Sequence, residues 1–347
     1  MSAVCVLRHR DSDITDGAAL TRRGDVMVLD RAVDTSPMDI SKIFSLLRPR
    51  DEEDEAGGPL RALMEAVGAD DAVLLAELLT RENHRRSINA RSGWGVPVTP
   101  LRSAAALGHL RCLEVLLEHG AEIDVLDVKA QTPLFSAVSG RHLDCVAALL
   151  KAGADPNGSP HNNCPPVLTA AREGDAAVLR ELLRFGAEAD AGSRAVPEWA
   201  SGAAARRGAL YISAAYGHLG GFKLLLLHGA DPDYNCTDRK APGRVKRAKT
   251  VLEACLHYGC GAEFVRLLVD FGADVFLPAL SGGEAAEQNE ALALLLGERA
   301  CPKTLMSQTR LAIRRLLPLG DKEPAIDMLD VPLILRNYLK HQTSEHV

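Results

Sequence analysis

Apolar pairs recur along this chain at fixed intervals. Leu116-Leu117, Leu149-Leu150, Leu182-Leu183 and Leu225-Leu226 are each followed four residues later by Gly-Ala, and Leu268-Val269 keeps the same step. The Gly-Ala pairs at 120, 153, 186, 229 and 272 are therefore spaced 33, 33, 43 and 43 residues apart. A second register moves with the first: Thr99-Pro100-Leu101 returns as Thr132-Pro133-Leu134. Small residues follow it, at Ala104-Ala105, Ala137, Ala170-Ala171 and Ala214-Ala215, and Gly-His-Leu ends the first helix of two units at 108–110 and 217–219. Each register has a physical reading. Thr caps a helix start and Pro is tolerated in the first turn. Ala permits close helix contact, and Gly supplies a left-handed ending. The Leu pair lines the buried face of a second helix. The pattern predicts a series of helix–turn–helix units whose apolar faces are buried only by stacking on one another.

These registers resemble the ankyrin repeat. They predict an all-α solenoid of about six to seven repeats over residues 58–301, running from an N-terminal unit at Pro59–Asn89 to a looser sixth at Thr250–Val275. A truncated seventh, Pro278–Cys301, is expected to cap the stack. Both 43-residue intervals carry about ten extra residues after the Gly-Ala turn, so both enlarge loops on one side of the array. Loops on one face of a repeat array are the usual contact surface. The first insertion holds Trp199, and the second holds Arg239, Lys240, Arg244, Lys246, Arg247 and Lys249. The second insertion reads either as a solvated basic loop or as a docking patch for an acidic segment of a target protein.

Composition narrows the classes. Aromatics make up 4% of the 347 residues, too little volume for one large enzyme core but enough for helices packed through Ala and Leu. A formal net charge of −6 argues against nucleic acid as the main partner. The longest apolar stretches, such as Leu224–Leu227, are far below the roughly 20 residues of a membrane span. The start lacks the pattern of a secretory signal, so the expected site is cytoplasmic, with the nucleus also open, and the Asn157-Gly158-Ser159 and Asn235-Cys236-Thr237 motifs would go unglycosylated. Eight scattered cysteines suit a reducing compartment. Cys255 and Cys260, with His257 between them, lie inside a repeat and lack a second ligand pair, which favours a structural role over a metal site.

Catalytic motifs are missing: there is no G-x-x-x-x-G-K-[ST], H-E-x-x-H or G-x-S-x-G. His109, His119, His142, His218 and His228 occupy repeat positions, which assigns them to packing and capping. No enzyme activity, metal or cofactor is expected.

Beyond residue 302 the character changes. Leu305, Thr309, Ala312-Ile313 and Leu316 form one helical stripe, which places Arg310, Arg314 and Arg315 on the wetter side. Two further apolar pieces, around Ala325–Leu329 and Leu333–Leu339, complete three short helices that are too small to fold alone. Thr304, Leu305, Thr309 and Ile313 follow the spacing of a SOCS box, so that 302–347 resembles that domain. Ankyrin repeats followed by this box resemble the ankyrin-repeat and SOCS-box family of ubiquitin-ligase adaptors. The resemblance implies that Thr304, Leu305, Thr309, Ala312, Ile313 and Leu316 face elongin C, itself bound to elongin B. It also implies that Leu329, Val331, Pro332 and Leu333 select cullin-5 with its RING-box protein. Thr309 stands where the pattern has Cys, and Asp330 where the cullin element has its first Pro. A helical Thr can return its hydroxyl to the carbonyl four residues earlier, which removes the cost of burying it.

Residues 1–57 carry no sustained periodicity apart from a short amphipathic stretch at 38–47 and an acidic run at Asp51–Glu55, and are expected to be a disordered extension. The expected function is substrate recognition for an elongin–cullin–RING ligase, with an unknown target on the repeats. The alternative is an ankyrin scaffold or inhibitor whose tail only caps the solenoid.

Overall fold

The computed structural model describes residues 57–91, 98–162, 164–191, 208–233, 250–278, 290–301, 303–317 and 323–342, all within a single unit running from Glu53 to Val347. The 38–47 helix, the acidic run at 51–55, Trp199, Arg239, Lys240, Arg244, Lys246 and Arg247 lie outside the described residues, as does the motif at Asn235. Every regular element among the described residues is a helix.

Six helix pairs follow one another: α1 Gly57–Gly68 with α2 Ala72–Leu79, then, after a short extra helix α3 Glu82–Arg86, α4 Pro100–Leu107 with α5 Leu110–Glu118. Next come α6 Pro133–Gly140 with α7 Leu143–Lys151, α8 Pro166–Glu173 with α9 Ala176–Arg184, α10 Ala209–Ala215 with α11 Leu219–Leu227, and α12 Val251–His257 with α13 Ala262–Asp270. A single helix, α14 Glu290–Ala300, packs on α13. First helices touch first helices of the neighbouring repeats, and second helices touch second helices.

Local sequence explains where each helix begins. Thr99 and Thr132 accept from the backbone N–H of Arg102 and Phe135 through their hydroxyls, with Pro next in line. Thr250 forms a reciprocal capping box with Glu253. Of the predicted Leu pairs, Leu116, Leu149-Leu150, Leu182-Leu183 and Leu225-Leu226 are buried and Leu117 is half-buried; Leu113 and Leu179 join them in the core, with Ala104, Ala105, Ala137 and Ala214. Each such Leu contributes about 1.5–3 kcal/mol, but only while its neighbouring repeat is folded.

The repeat histidines tie one unit to the next. The ring N–H groups of His109, His142 and His218 donate to the carbonyls of Val67, Ala106 and Arg172 at 2.7, 3.2 and 3.0 Å. The bridges of His142 and His218 explain the left-handed glycines Gly108 and Gly174 of the repeats before them, whereas Asp70 holds that position before His109. Gly174 has φ of +73°, and a Cβ there would come within 2.6 Å of the His218 ring. Gly217 shares the left-handed backbone but has nothing within 4 Å, because the next repeat carries Cys260 in place of His. The Cys260 thiol donates to the Ala214 carbonyl at 3.2 Å, filling the histidine's bridging role.

A second set of ties was not anticipated. The side chains of Asn89, Asp124, Asn157, Asp190 and Asp233 each accept from a backbone N–H of the following repeat, at Glu122, Asp155, Glu188, Asp231 and Asp274, over 2.8–3.3 Å. They form a ladder along the bases of the outward turns.

Candidate protein-docking sites

The tail forms three helices: α15 Leu305–Leu316, α16 Glu323–Asp327 and α17 Leu333–Leu339. Thr304 caps α15 by accepting from the Ser307 N–H. Ile326 and Leu339 are buried, and Lys340 pairs with Asp327 at 2.7 Å, holding α17 against α16.

The orientation of α15 corrects one expectation. Arg310 and Arg314 are buried and do not take the wet side; of the three arginines only Arg315 is exposed. Arg310 pairs with Asp270 of α13 at 2.8 Å and lies over the Tyr338 ring at 4.5 Å. Arg314 donates to the carbonyls of Leu339 and Leu227, at 2.8 and 3.3 Å, and covers the Phe271 ring at 4.8 Å. The physical reason is that the ends of α11 and α13 offer a carbonyl, a carboxylate and an aromatic face, and α17 adds a second carbonyl. A planar guanidinium satisfies these better than an aliphatic side chain does. His341 stacks on Phe271 at 4.1 Å. Burial, and then Arg310, Arg314 and Lys223, push its pKa down to about 3, so it is neutral in the docked tail.

With the arginines turned inward, the apolar stripe faces out. Leu305 is 79% and Leu316 87% exposed; Thr304, Thr309 and Ala312 are also exposed, and Ile313 is half-buried. Thr309 returns its hydroxyl to the Leu305 carbonyl at 2.8 Å, so it presents its methyl group without an unsatisfied donor. In the second predicted element, Leu329 and Val331 are half-buried and their carbonyls accept from Arg336 at 3.2 and 3.3 Å. Pro332 begins α17, while Leu333 and Ile334 project outward, 67% and 78% exposed. The two predicted sets thus sit on one small domain, each with uncovered apolar side chains. Such patches mark protein contacts.

A family model for the SOCS box matches residues 301–340, and one for ankyrin repeats, in three copies, matches residues 63–159. Ankyrin repeat and SOCS box protein 12 of mouse is 55% identical over 306 residues, which cover 88% of this chain and 99% of the relative. This chain belongs to the ankyrin repeat and SOCS box family. The human protein 12 is 56% identical over the same shares, and mouse ankyrin repeat and SOCS box protein 1 is 41% identical over 74% of this chain and 81% of its own length. The crystal structure of the human ASB11 ankyrin repeat domain superposes with a TM-score of 0.51 at 25% identity, covering 70% of this chain and 99% of that one. Family membership supports a role as substrate adaptor of a ubiquitin ligase.

Family membership also suggests a non-catalytic adaptor. Among the described residues no group of three His, Cys, Asp or Glu side chains could hold a metal ion, and no helix is long and apolar enough to cross a membrane. The bond to Cys260, then burial, pushes the Cys255 thiol up, so it stays protonated. Arg102, central in the second repeat, is spent on Asp127, Gln131 and Ser136, with its Asp127 pair at 2.6 Å.

Proposed function

We propose that this chain is the substrate-recognition subunit of an elongin B/C–cullin-5–RING ligase, acting inside the cell to deliver a protein target for ubiquitination and proteasomal degradation. The supporting observation is the stripe led by Leu305, which stays open although Arg310 and Arg314 on the opposite face of α15 are buried between the repeats and α17. Leu305 enters an apolar pocket on elongin C, with Thr309, Ala312, Ile313 and Leu316 along the same face. Leu329, Val331, Pro332 and Leu333 contact cullin-5, and its RING-box partner brings activated ubiquitin. The chain contributes proximity: target and ubiquitin carrier are held on one body at high effective concentration, with no side chain doing acid–base work.

The contacts of Arg310 and Arg314 also favour a second reading, in which the tail serves only to cap the last repeat of a scaffold or inhibitor. Coexpression with elongins B and C separates the two. The wild type should copurify with both elongins, and Leu305→Asp should abolish this while leaving the thermal melt unchanged, because a carboxylate in an apolar pocket is strongly disfavoured. A wild type that never copurifies leaves the capping reading standing.

A further inference from the structure

One backbone bond recurs where the first helix of each repeat turns into the second. Asp71, His109, His142, Asp175 and His218 donate their N–H groups to the carbonyls of Ala66, Ala104, Ala137, Ala170 and Ser213, five residues earlier. In the sixth repeat the same bond runs from Cys260 to Cys255 at 2.9 Å. Both members have changed to cysteine together. Packing does not require this, since Ala serves at the first position in four of the five preceding repeats and His or Asp at the second in all five.

The two thiols are in contact. A direct N–H···O bond of 2.9 Å keeps the two Cα atoms within about 7 Å, a span that a disulfide reaches. The Cys255 thiol donates to Cys260, and the Cys260 thiol donates to the Ala214 carbonyl of the fifth repeat at 3.2 Å. Cys255 is fully buried and Cys260 half-buried, so a small reagent from solvent meets Cys260 first. The bond from Cys255 holds the Cys260 thiol below its ordinary range, although burial opposes this. Cys112 and Cys145, by contrast, are buried, and burial pushes their thiols up to about 12 and about 11. An accessible, more acidic thiol beside a second thiol is the arrangement that reacts reversibly with peroxides.

We propose that Cys255 and Cys260 form a peroxide-sensitive modification site, which closes to a disulfide and so unties the sixth repeat from the fifth. The Cys260 thiolate attacks one oxygen of hydrogen peroxide. An S–O bond forms, the O–O bond breaks, and the leaving hydroxide takes up the proton that Cys260 gave away, becoming water. Cys255 then attacks the Cys260 sulfur. The S–S bond forms, the S–O bond breaks, and the hydroxyl leaves with the Cys255 proton as a second water. The two thiols together lose two electrons, and one peroxide is reduced to two waters. Oxidised Cys260 has no proton to donate to the Ala214 carbonyl, so the bridge between the two repeats is lost. A histidine bridge, as in the second, third and fifth repeats, has no such chemistry.

The test uses the purified full chain, treated with hydrogen peroxide, alkylated with iodoacetamide and digested with trypsin. Cleavage after Lys249 and Arg266 leaves both cysteines on one peptide, 250–266, whose mass reports on this pair alone. After peroxide that peptide should lack two hydrogens and resist iodoacetamide, and dithiothreitol should restore both thiols. In Cys255→Ser the first product should persist as a sulfenic acid, trapped by dimedone at Cys260. Amide exchange in α12 should rise about fivefold in the oxidised wild type, as expected for the loss of one hydrogen bond. Cys260→His rebuilds the bridge of the other repeats, so its exchange should match the reduced wild type with or without peroxide. Three results would each overturn the switch: both thiols surviving while Cys301 is oxidised, Cys260 passing to sulfinic acid beside a reduced Cys255, or a disulfide that leaves exchange in α12 unchanged. Each readout is independent of the elongins, so failure here leaves the ligase reading intact.

Discussion

Asp190 holds one rung of the inter-repeat ladder, yet it is a costly choice for it. Its carboxylate accepts from the Asp231 N–H at 2.9 Å, but burial pushes its pKa up to about 6 against that bond. The equivalent rungs at 89 and 157 are Asn, which accepts the same bond without a charge. A carboxyl whose folded pKa lies above its unfolded value of 3.8 contributes stability at low pH that is lost as pH rises through about 6. Asp190→Asn should therefore raise stability by about 1 kcal/mol at pH 7.5, a figure already reduced for partial solvent exposure. It should change little at pH 4. Urea unfolding at the two pH values checks this, and an equal effect at both would mean the bond, and not the charge, is at issue. The rungs were legible in principle: 124, 157, 190 and 233 keep the spacings 33, 33 and 43 of the Gly-Ala register. Asx residues near a turn have an obvious local use, however, and that obscured the longer-range one.

At the scale of the element, α15 shows what a periodicity argument can and cannot settle. The stripe from Leu305 to Leu316 and the helix carrying it follow directly from apolar spacing. Which face turns inward does not, because the surroundings decide it. Hydrophobic periodicity assigns arginines to water, but Asp270, Phe271 and the free carbonyls of Leu227 and Leu339 make a buried site for them. Removing one partner of a buried pair costs about 3–5 kcal/mol, and Asp270 is partly open, which places Arg310→Ala near 3 kcal/mol. The expected outcome is local: amide exchange across 305–316 and 333–342 rises about a hundredfold at pH 7. Exchange in α1 to α7 should be unchanged. A tail that keeps its protection would show that the aromatic contacts of Arg314 and His341 suffice.

On the scale of the whole molecule, the tail has two faces with different surroundings. Its inward face packs on the last repeats, and its outward face keeps Leu305, Leu316, Leu333 and Ile334 exposed. A repeat array couples mainly nearest neighbours, so an end that loses its cover weakens progressively less with distance. Removing residues 302–347 uncovers Phe271 and the carbonyl of Leu227, and leaves Asp270 without Arg310. The truncated chain should lose amide protection first in α13 and α11, less in α9, and not measurably in α2. A uniform loss would mean that the solenoid unfolds as one cooperative body. A graded loss has a consequence for the ligase reading: bound elongin, by holding the tail in its folded form, would stabilise the fifth and sixth repeats through linkage. Those are the repeats that the Cys260 bridge joins. Elongin binding should then slow exchange in α10 and α12 of the full chain, and Arg310→Ala should uncouple that effect while Leu305 still binds.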